Sequence, residues 1–161
     1  VKIFGHLINK GGQFIGELIN TSAPMIYSVT RTTLGSPTGE GIILTIDDVI
    51  IPDDSYIYDI EVRGKTRVTT NSNGTSNKNA DVTLEYDIDG AASWTTLDYS
   101  FASGRANTGN STLDQTLMTL GYLEAAAAGS YDFRTDMSSN VTGTAQDDGT
   151  HLIVTVYRRT S

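Results

Sequence analysis

DVTLEYDIDGAASWTTLDYSF, residues 81–101, is two alternating runs joined by Asp-Gly. In the first run Val82, Leu84, Tyr86 and Ile88 share a face, the period of a half-buried strand. Asp89-Gly90 between such runs is a strong hairpin signal. Glycine reaches the positive φ of a tight turn, and an aspartate side chain accepts hydrogen bonds from nearby backbone amides. Trp94, the only tryptophan, opens the return strand, where its ring can cover the end of the hairpin. The stretch needs no ligand to explain it.

The same period extends outward in both directions. In YIYDIEVRG, residues 56–64, Tyr56, Tyr58, Ile60 and Val62 oppose Ile57, Asp59, Glu61 and Arg63. Strands are also expected in MIYSVTRTT (25–33), KTRVTT (65–70) and SYDFRTDMSS (130–139). IILTIDDVII (42–51) reads as two short apolar pieces. HLIVTVYRRT (151–160) sets Leu152, Val154 and Val156 against Ile153, Thr155 and Tyr157. Apolar groups on both of its faces suit a central strand. TLDQTLMTLGYLEAAAAG (112–129) reads as a strand through Leu123, followed by a short turn or one helical turn over the alanines. LGSPTGEG (34–41), NSNGTSNKNA (71–80), ASGRANTGNS (102–111) and NVTGTAQDDG (140–149) read as exposed polar loops. The sum is eight to ten strands with frequent turns. That predicts an all-β fold, a jelly-roll-like antiparallel β-sandwich, ahead of an immunoglobulin-like one.

The first residues differ. GHLIN (5–9) recurs as GELIN (16–20), around the turn-forming KGGQFI. Residues 1–24 are expected to form an N-terminal arm or hairpin, and 25–161 the sandwich domain. The arm has two readings: a first pair of strands in the domain sheet, or an apolar segment that adds to a neighbouring subunit.

Composition bounds the function. At 161 residues the chain supports one domain with a real core. Cysteine is absent, which removes disulfides, thiolate metal sites and a cysteine nucleophile. The net charge is −8 with scattered Lys and Arg, so no nucleic-acid partner and no anionic membrane surface is expected. No apolar run reaches membrane-spanning length, and the start lacks a signal-peptide pattern. Val1 is compatible with removal of an initiator methionine or with a processed end.

Candidate chemistry is sparse. His6 and His151 are the only histidines. There is no G-x-S-x-G elbow, no phosphate loop and no HExxH. Any two acids could still meet in space as a glycosidase pair, but the chain is short for a cleft with a framework behind it. No catalytic residue, cofactor or metal is assigned, and the expectation is a protein that is not an enzyme. A calcium reading of Asp87 and Asp89 lacks further ligands; position twelve is Asp98. Asp47, Asp48, Asp53 and Asp54 form a second acidic cluster, expected to be solvated. Sequons at Asn20, Asn73, Asn110 and Asn140 fall in the expected loops. Eight tyrosines and Trp94 keep a sugar-binding face as an alternative, though cross-strand packing explains most of them.

Two resemblances add to this reading. Asp87, Gly90, Ser93 and Trp94 resemble a relaxed Asp-box, a hairpin found in sialidases and other β proteins, with one extra residue and Glu85 in place of the serine. That resemblance implies a structural turn and transfers no activity. Over most of its length the chain resembles the small jelly-roll virion proteins of tailed phages, meaning head decoration or cement proteins. VKIFGHLINKGGQFIGELI, LGSPTGEGIILTI, AAAAGSYDFR and HLIVTVYRRTS carry the likeness. It implies a homotrimer, made in the host cytoplasm and placed on the capsid surface of the virion. There it stabilises the phage head by bridging subunits of the major capsid protein. Val1, Ile3, Phe4, Leu7, Ile8 and Phe14 are the residues expected to bind the partner. The alternative is a receptor- or carbohydrate-binding knob of a tail fibre.

Overall fold

The computed structural model describes residues 25–30, 41–73, 77–105, 110–139 and 143–159. Eight strands follow one another: β1 (Met25–Thr30), β2 (Gly41–Ile51), β3 (Tyr58–Asn73), β4 (Asn77–Ile88), β5 (Thr95–Arg105), β6 (Asn110–Ala126), β7 (Gly129–Ser139) and β8 (Gly143–Arg158). They form two four-stranded antiparallel sheets, β1-β8-β3-β6 (sheet 1) and β2-β7-β4-β5 (sheet 2). The first strand pairs with the last, the second with the seventh, the third with the sixth, and the two middle strands with each other. This is one long hairpin folded back on itself. The β3–β8 and β4–β7 ladders roll it into a sandwich, which is the eight-stranded jelly roll expected from the alternation.

Alternation decides what faces inward. Ile60, Val62 and Val68 of β3 and Leu152, Val154 and Val156 of β8 are buried from sheet 1. Val82 and Leu84 of β4, Phe133 and Met137 of β7, and Val49 and Ile51 of β2 meet them from sheet 2. Tyr131 and Phe133 stack at 6.2 Å between ring centroids, and Tyr86 lies 6.4 and 6.5 Å from them. β8 lies between β1 and β3, the central place its two apolar faces called for.

Several boundaries differ from the sequence expectation. The two apolar pieces of residues 42–51 are one strand, β2, with a bulge between Ile46 and Val49. Asp48 takes φ 58° there, and its N–H donates to Asp132 Oδ1 at 2.9 Å. Of the two readings of the alanines the short turn holds, over Ala127 and Ala128 between β6 and β7, and the helical turn does not. β6 runs on to Ala126 through a bulge against β3, with Ala125 at φ 49°. Its displaced N–H donates to Asp59 Oδ1 at 2.9 Å, which satisfies the group that a bulge leaves outside the ladder. The polar segments 71–80, 102–111 and 140–149 are also largely strand. β3 reaches Asn73, paired with Asn110 of β6, and β8 begins at Gly143, paired with Thr70. Asn73 and Asn110 therefore lie at strand ends. The arm, its expected partner-binding residues Val1, Ile3, Phe4, Leu7, Ile8 and Phe14, and His6, Asn20 and Asn140 lie outside the described residues.

Candidate functional site

The hairpin that decided the fold is held by its own acids. Asp89 and Gly90 both have positive φ, 54° and 65°, and the Ala91 N–H donates to the Ile88 carbonyl at 3.2 Å. This is a tight turn of the kind Asp-Gly favours, but the connection between β4 and β5 is longer, Asp89 to Trp94, with Tyr86 paired to Thr95 and Ala92 also at a positive φ of 54°. Asp87 organises the approach to the return strand. Its Oδ1 accepts the N–H groups of Ile88 and Ser93 at 2.9 and 3.3 Å, and its Oδ2 accepts that of Ala92 at 2.8 Å. Asp89 turns the other way, toward the first residues of β7. Its Oδ1 accepts the Ser130 N–H at 2.9 Å, and its own N–H donates to the Ser130 carbonyl at 2.8 Å. Asp98 accepts the Leu120 N–H of β6 at 2.8 Å. The three acids of the calcium reading thus serve three different backbone segments. Among the described residues no group of three or more His, Asp or Glu could hold a metal ion.

Trp94 is covered by a residue that the sequence did not point to. The Arg134 guanidinium of β7 lies 4.0 Å over the indole, and its Nε is 2.7 Å from Glu85 Oε2. The pairing of Glu85 with Arg134 across β4 and β7 brings the three together. Arg134 lies 40 positions from Trp94 in the sequence, so only the strand order reveals the contact.

The second acidic cluster divides. Asp54 accepts the Tyr56 N–H at 2.9 Å and the Tyr58 hydroxyl at 2.8 Å, closing the β2–β3 turn. Asp47 stays exposed beside Asp48 and Asp132. Desolvation, then the Asp132 and Asp48 carboxylates, raise its carboxyl above the ordinary range.

A denser constellation forms where β3 begins and β6 and β8 end. Asp59 is buried. Its Oδ2 accepts Arg159 Nε at 2.7 Å, its Oδ1 accepts the Ala125 N–H, and the Tyr122 hydroxyl donates to it. The Arg159 bond, ahead of the Ala125 and Tyr122 bonds, holds the Asp59 carboxyl below its usual value despite desolvation. Burial first, then the bond to Asp59, pushes the Tyr122 phenol up. Beside them the Arg158 guanidinium lies 4.0 Å over the Tyr56 ring. The rings of Tyr56, Tyr122 and Tyr157 are all exposed at this end. The chemistry offered is stacking and hydrogen bonding. His151 lies elsewhere, opposite Lys65 on the outer face of sheet 1.

Exposed apolar side chains line two of the strands. Met118 and Leu120 of β6 are 70% and 61% exposed, and Tyr122 continues the row. On β5, Tyr99 is 68% exposed and Phe101 lies two positions on. β5 and β6 are the edge strands on one side of the sandwich. Asp98 accepts one N–H of β6 there, that of Leu120.

No protein-family model matches the chain, and no curated protein sequence does. Among solved structures the chain is similar to Eiger TNF from S. frugiperda, at 9% identity over 74% of this chain and 92% of that one, with a TM-score of 0.38. It is also similar to the EclA C-terminal domain, a sugar-binding protein, at 12% identity over 86% of this chain and 78% of that one, with a TM-score of 0.27.

Proposed function

We propose that this chain is a structural protein of a virion. In this reading it works by contact rather than turnover, as a capsid-bound cement that bridges shell subunits. The observation that carries the reading is two rows of large apolar side chains left exposed on regular strands, one on each outer face: Met118, Leu120 and Tyr122 on β6, and Tyr99 and Phe101 on β5. Large apolar side chains exposed in rows of this kind mark association sites. A β-sandwich whose acids are spent on its own turns and strand edges, as Asp54, Asp87 and Asp98 are, suits a part that holds shape. The sequence likeness to jelly-roll virion proteins supports the placement on a capsid surface. Area buried across subunit boundaries then stabilises the assembled shell by mass action.

The test is co-sedimentation with particles that lack the protein. The full chain is expected to saturate them, and a chain without residues 1–14 is expected to stay folded but remain in the supernatant. Equal occupancy by both would remove the arm from the reading, and no binding by either would remove the reading itself.

A specific observation favours the knob as a second reading. At one end of the sandwich Tyr122 lies beside Asp59 and Arg159, and Tyr56 lies under Arg158. Aromatic rings beside fixed hydrogen-bonding groups suit sugar recognition. A glycan array separates the two: hits lost in Tyr56→Ala and Tyr122→Ala support the knob.

A further inference from the structure

The inner face of β8 runs past the core and ends on a cation. Leu152, Val154 and Val156 are buried, and the period of a strand puts Arg158 on the same face, two positions on. It lies opposite Tyr58 of β3, at the mouth between the two sheets. The β2–β3 connection brings the Tyr56 ring against it, 4.0 Å from the guanidinium. Arg63, Arg67, Arg134 and Arg159 each hold a carboxylate. Arg158 holds none: among the described residues it makes no ion pair and no hydrogen bond, and its Nε is shut off from solvent without a partner. The bonds of the neighbouring acids go elsewhere. Asp54 accepts the Tyr56 N–H on one oxygen and the Tyr58 hydroxyl on the other, and Asp59 accepts Arg159. Burial first, then the bond to Asp54, pushes the Tyr58 phenol up, and the Arg158 charge acts against them.

A guanidinium keeps its charge at any ordinary pH. A half-buried one with no acceptor has given up hydration and gained only the ring it lies on. From this we infer that the mouth at Arg158 is an anion site, and that it takes the carboxylate of an acidic sugar. The sugar rests on the knob reading, which this narrows to a ligand class. Three features set the choice. With Nε closed off, Arg158 presents its two Nη groups, whose spacing matches the two oxygens of one carboxylate. A single cation stands near the Asp54 carboxylate, so a monoanion fits, and a phosphomonoester of charge about −2 does not. Tyr56 is half exposed beside the guanidinium and is fixed through its N–H by Asp54, so it offers an ordered apolar surface to a sugar ring.

The test is an NMR titration of the isotope-labelled full chain at constant ionic strength, following the Arg158 Nε–H and the Tyr56 ring signals. The probes are galacturonate, N-acetylneuraminate, galactose, a sulfated galactose and acetate. The two acidic sugars are expected to shift both signals to saturation, and galactose to shift neither at the same concentrations. Arg158→Gln is expected to bind the acidic sugars at least about tenfold more weakly and to melt close to the wild type, because the cation it removes has no partner to lose. Arg158→Lys, which keeps the charge without the fork, is expected to fall between them. Tyr56→Ala is expected to weaken binding too, and carries the test if Arg158→Gln does not fold. Wild-type affinity in Arg158→Gln overturns the inference. So does acetate bound as tightly as galacturonate, since the ring would then play no part, or the sulfated sugar bound more tightly than the carboxylated ones. No shift with either acidic sugar overturns it as well. The glycan array above judges the knob reading separately: neutral glycans held equally by wild type and Arg158→Gln keep that reading and remove this inference.

Discussion

Sheet 1 and sheet 2 are alike inside and different outside. Both turn β-branched and aromatic side chains inward, and these meet in a single cluster. Outward, one pairs its cations with acids of the same face, Arg63 with Glu61 and Arg67 with Asp114, beside Leu120 and Met118; the other shows carboxylates beside Tyr99 and Phe101, with Arg134 paired to Glu85. Two physical rules act here. Burial selects the face with no regard to which strand is the neighbour. Charge sorting depends on the neighbours, and so exists only once the strands are ordered.

The inner likeness can be attacked most strongly. Phe133→Ala empties a fully buried site on sheet 2 between Tyr86 and Tyr131, and is expected to cost about 3–5 kcal/mol. Leu152→Ala on sheet 1 is expected to cost about 2–5 kcal/mol. Urea unfolding followed by far-ultraviolet circular dichroism and by Trp94 fluorescence checks both. Trp94 reports from sheet 2 and circular dichroism from both sheets, so one shared core requires coincident transitions. Two separate transitions would break the idea that the sheets are a single unit.

The next effect lies where the sheets touch at the β5–β6 side. A Cβ on Gly121 would lie 2.8 Å from Leu97 Cδ1 and 3.1 Å from Leu84 Cδ2. Gly121→Ala is expected to cost about 1–3 kcal/mol by overpacking. Leu97→Ala in the same chain is expected to recover part of that loss, a coupling that a double-mutant cycle measures. In the sequence this glycine looks like an interruption of a helix-prone run. Its reason is the approach of a leucine from β5.

Gly121 shows why legibility was uneven. The alternation at Tyr58, Ile60 and Val62, and at Val82 and Leu84, was readable because burial acts on each strand separately. The Asp89-Gly90 turn was readable because its chemistry is local. The β2 bulge was not, because the group that holds Asp48 comes from Asp132, 84 residues away. The alanine run misled for the same reason: Asp59 captures Ala125 from 66 residues away and keeps the bulged chain extended. The polar stretches at 71–80 and 140–149 read as loops because they lack apolar side chains. A ladder can nonetheless extend past the core on backbone hydrogen bonds, as Asn73 with Asn110 and Thr70 with Gly143 show. Of the candidate sites, the tyrosines were visible as residues. The placing of Tyr122 beside Asp59 and Arg159 was not, since it joins β3, β6 and the end of β8.

A smaller effect of opposite sign is expected inside. The hydroxyls of Thr119 on sheet 1 and Thr135 on sheet 2 are buried without a partner among the described residues. A hydroxyl without a partner loses its hydration on folding and gains nothing in return. Thr135→Val keeps the shape and removes the unpaired group, so it is expected to stabilise the fold by about 1 kcal/mol, read as a higher urea midpoint. Thr119→Val should behave in the same way if the two sheets present equivalent inner faces. A lowered midpoint in one alone would show that its hydroxyl is satisfied in solution and that the inner faces are less alike than their burial indicates.

The smallest effect sharpens the outer contrast, because acid should act on the two sheets in opposite directions. On sheet 1, Asp59 has a lowered carboxyl pKa, set first by Arg159. As pH falls below the ordinary carboxylate value of about 4, the unfolded chain takes up this proton before the folded one does. Stability from Asp59 is therefore complete above that value and is lost as pH drops through the folded pKa. Arg159 is partly exposed, so solvent screening keeps the contribution modest. On sheet 2, Asp47 is raised, by desolvation first and then by Asp132 and Asp48. Here the folded chain takes up the proton first, so its destabilising effect is present at neutral pH and fades as pH falls through the raised value. Urea midpoints of wild type, Asp59→Asn and Asp47→Asn, measured from neutral pH down to about 3, separate the two. Asp59→Asn is expected to lower the midpoint at neutral pH and to flatten its fall in acid. Asp47→Asn is expected to raise the neutral midpoint slightly and to steepen the fall. Equal slopes in all three proteins would mean that neither carboxylate feels its sheet, and that charge sorting on the outer faces has no energetic reach within one copy of the chain.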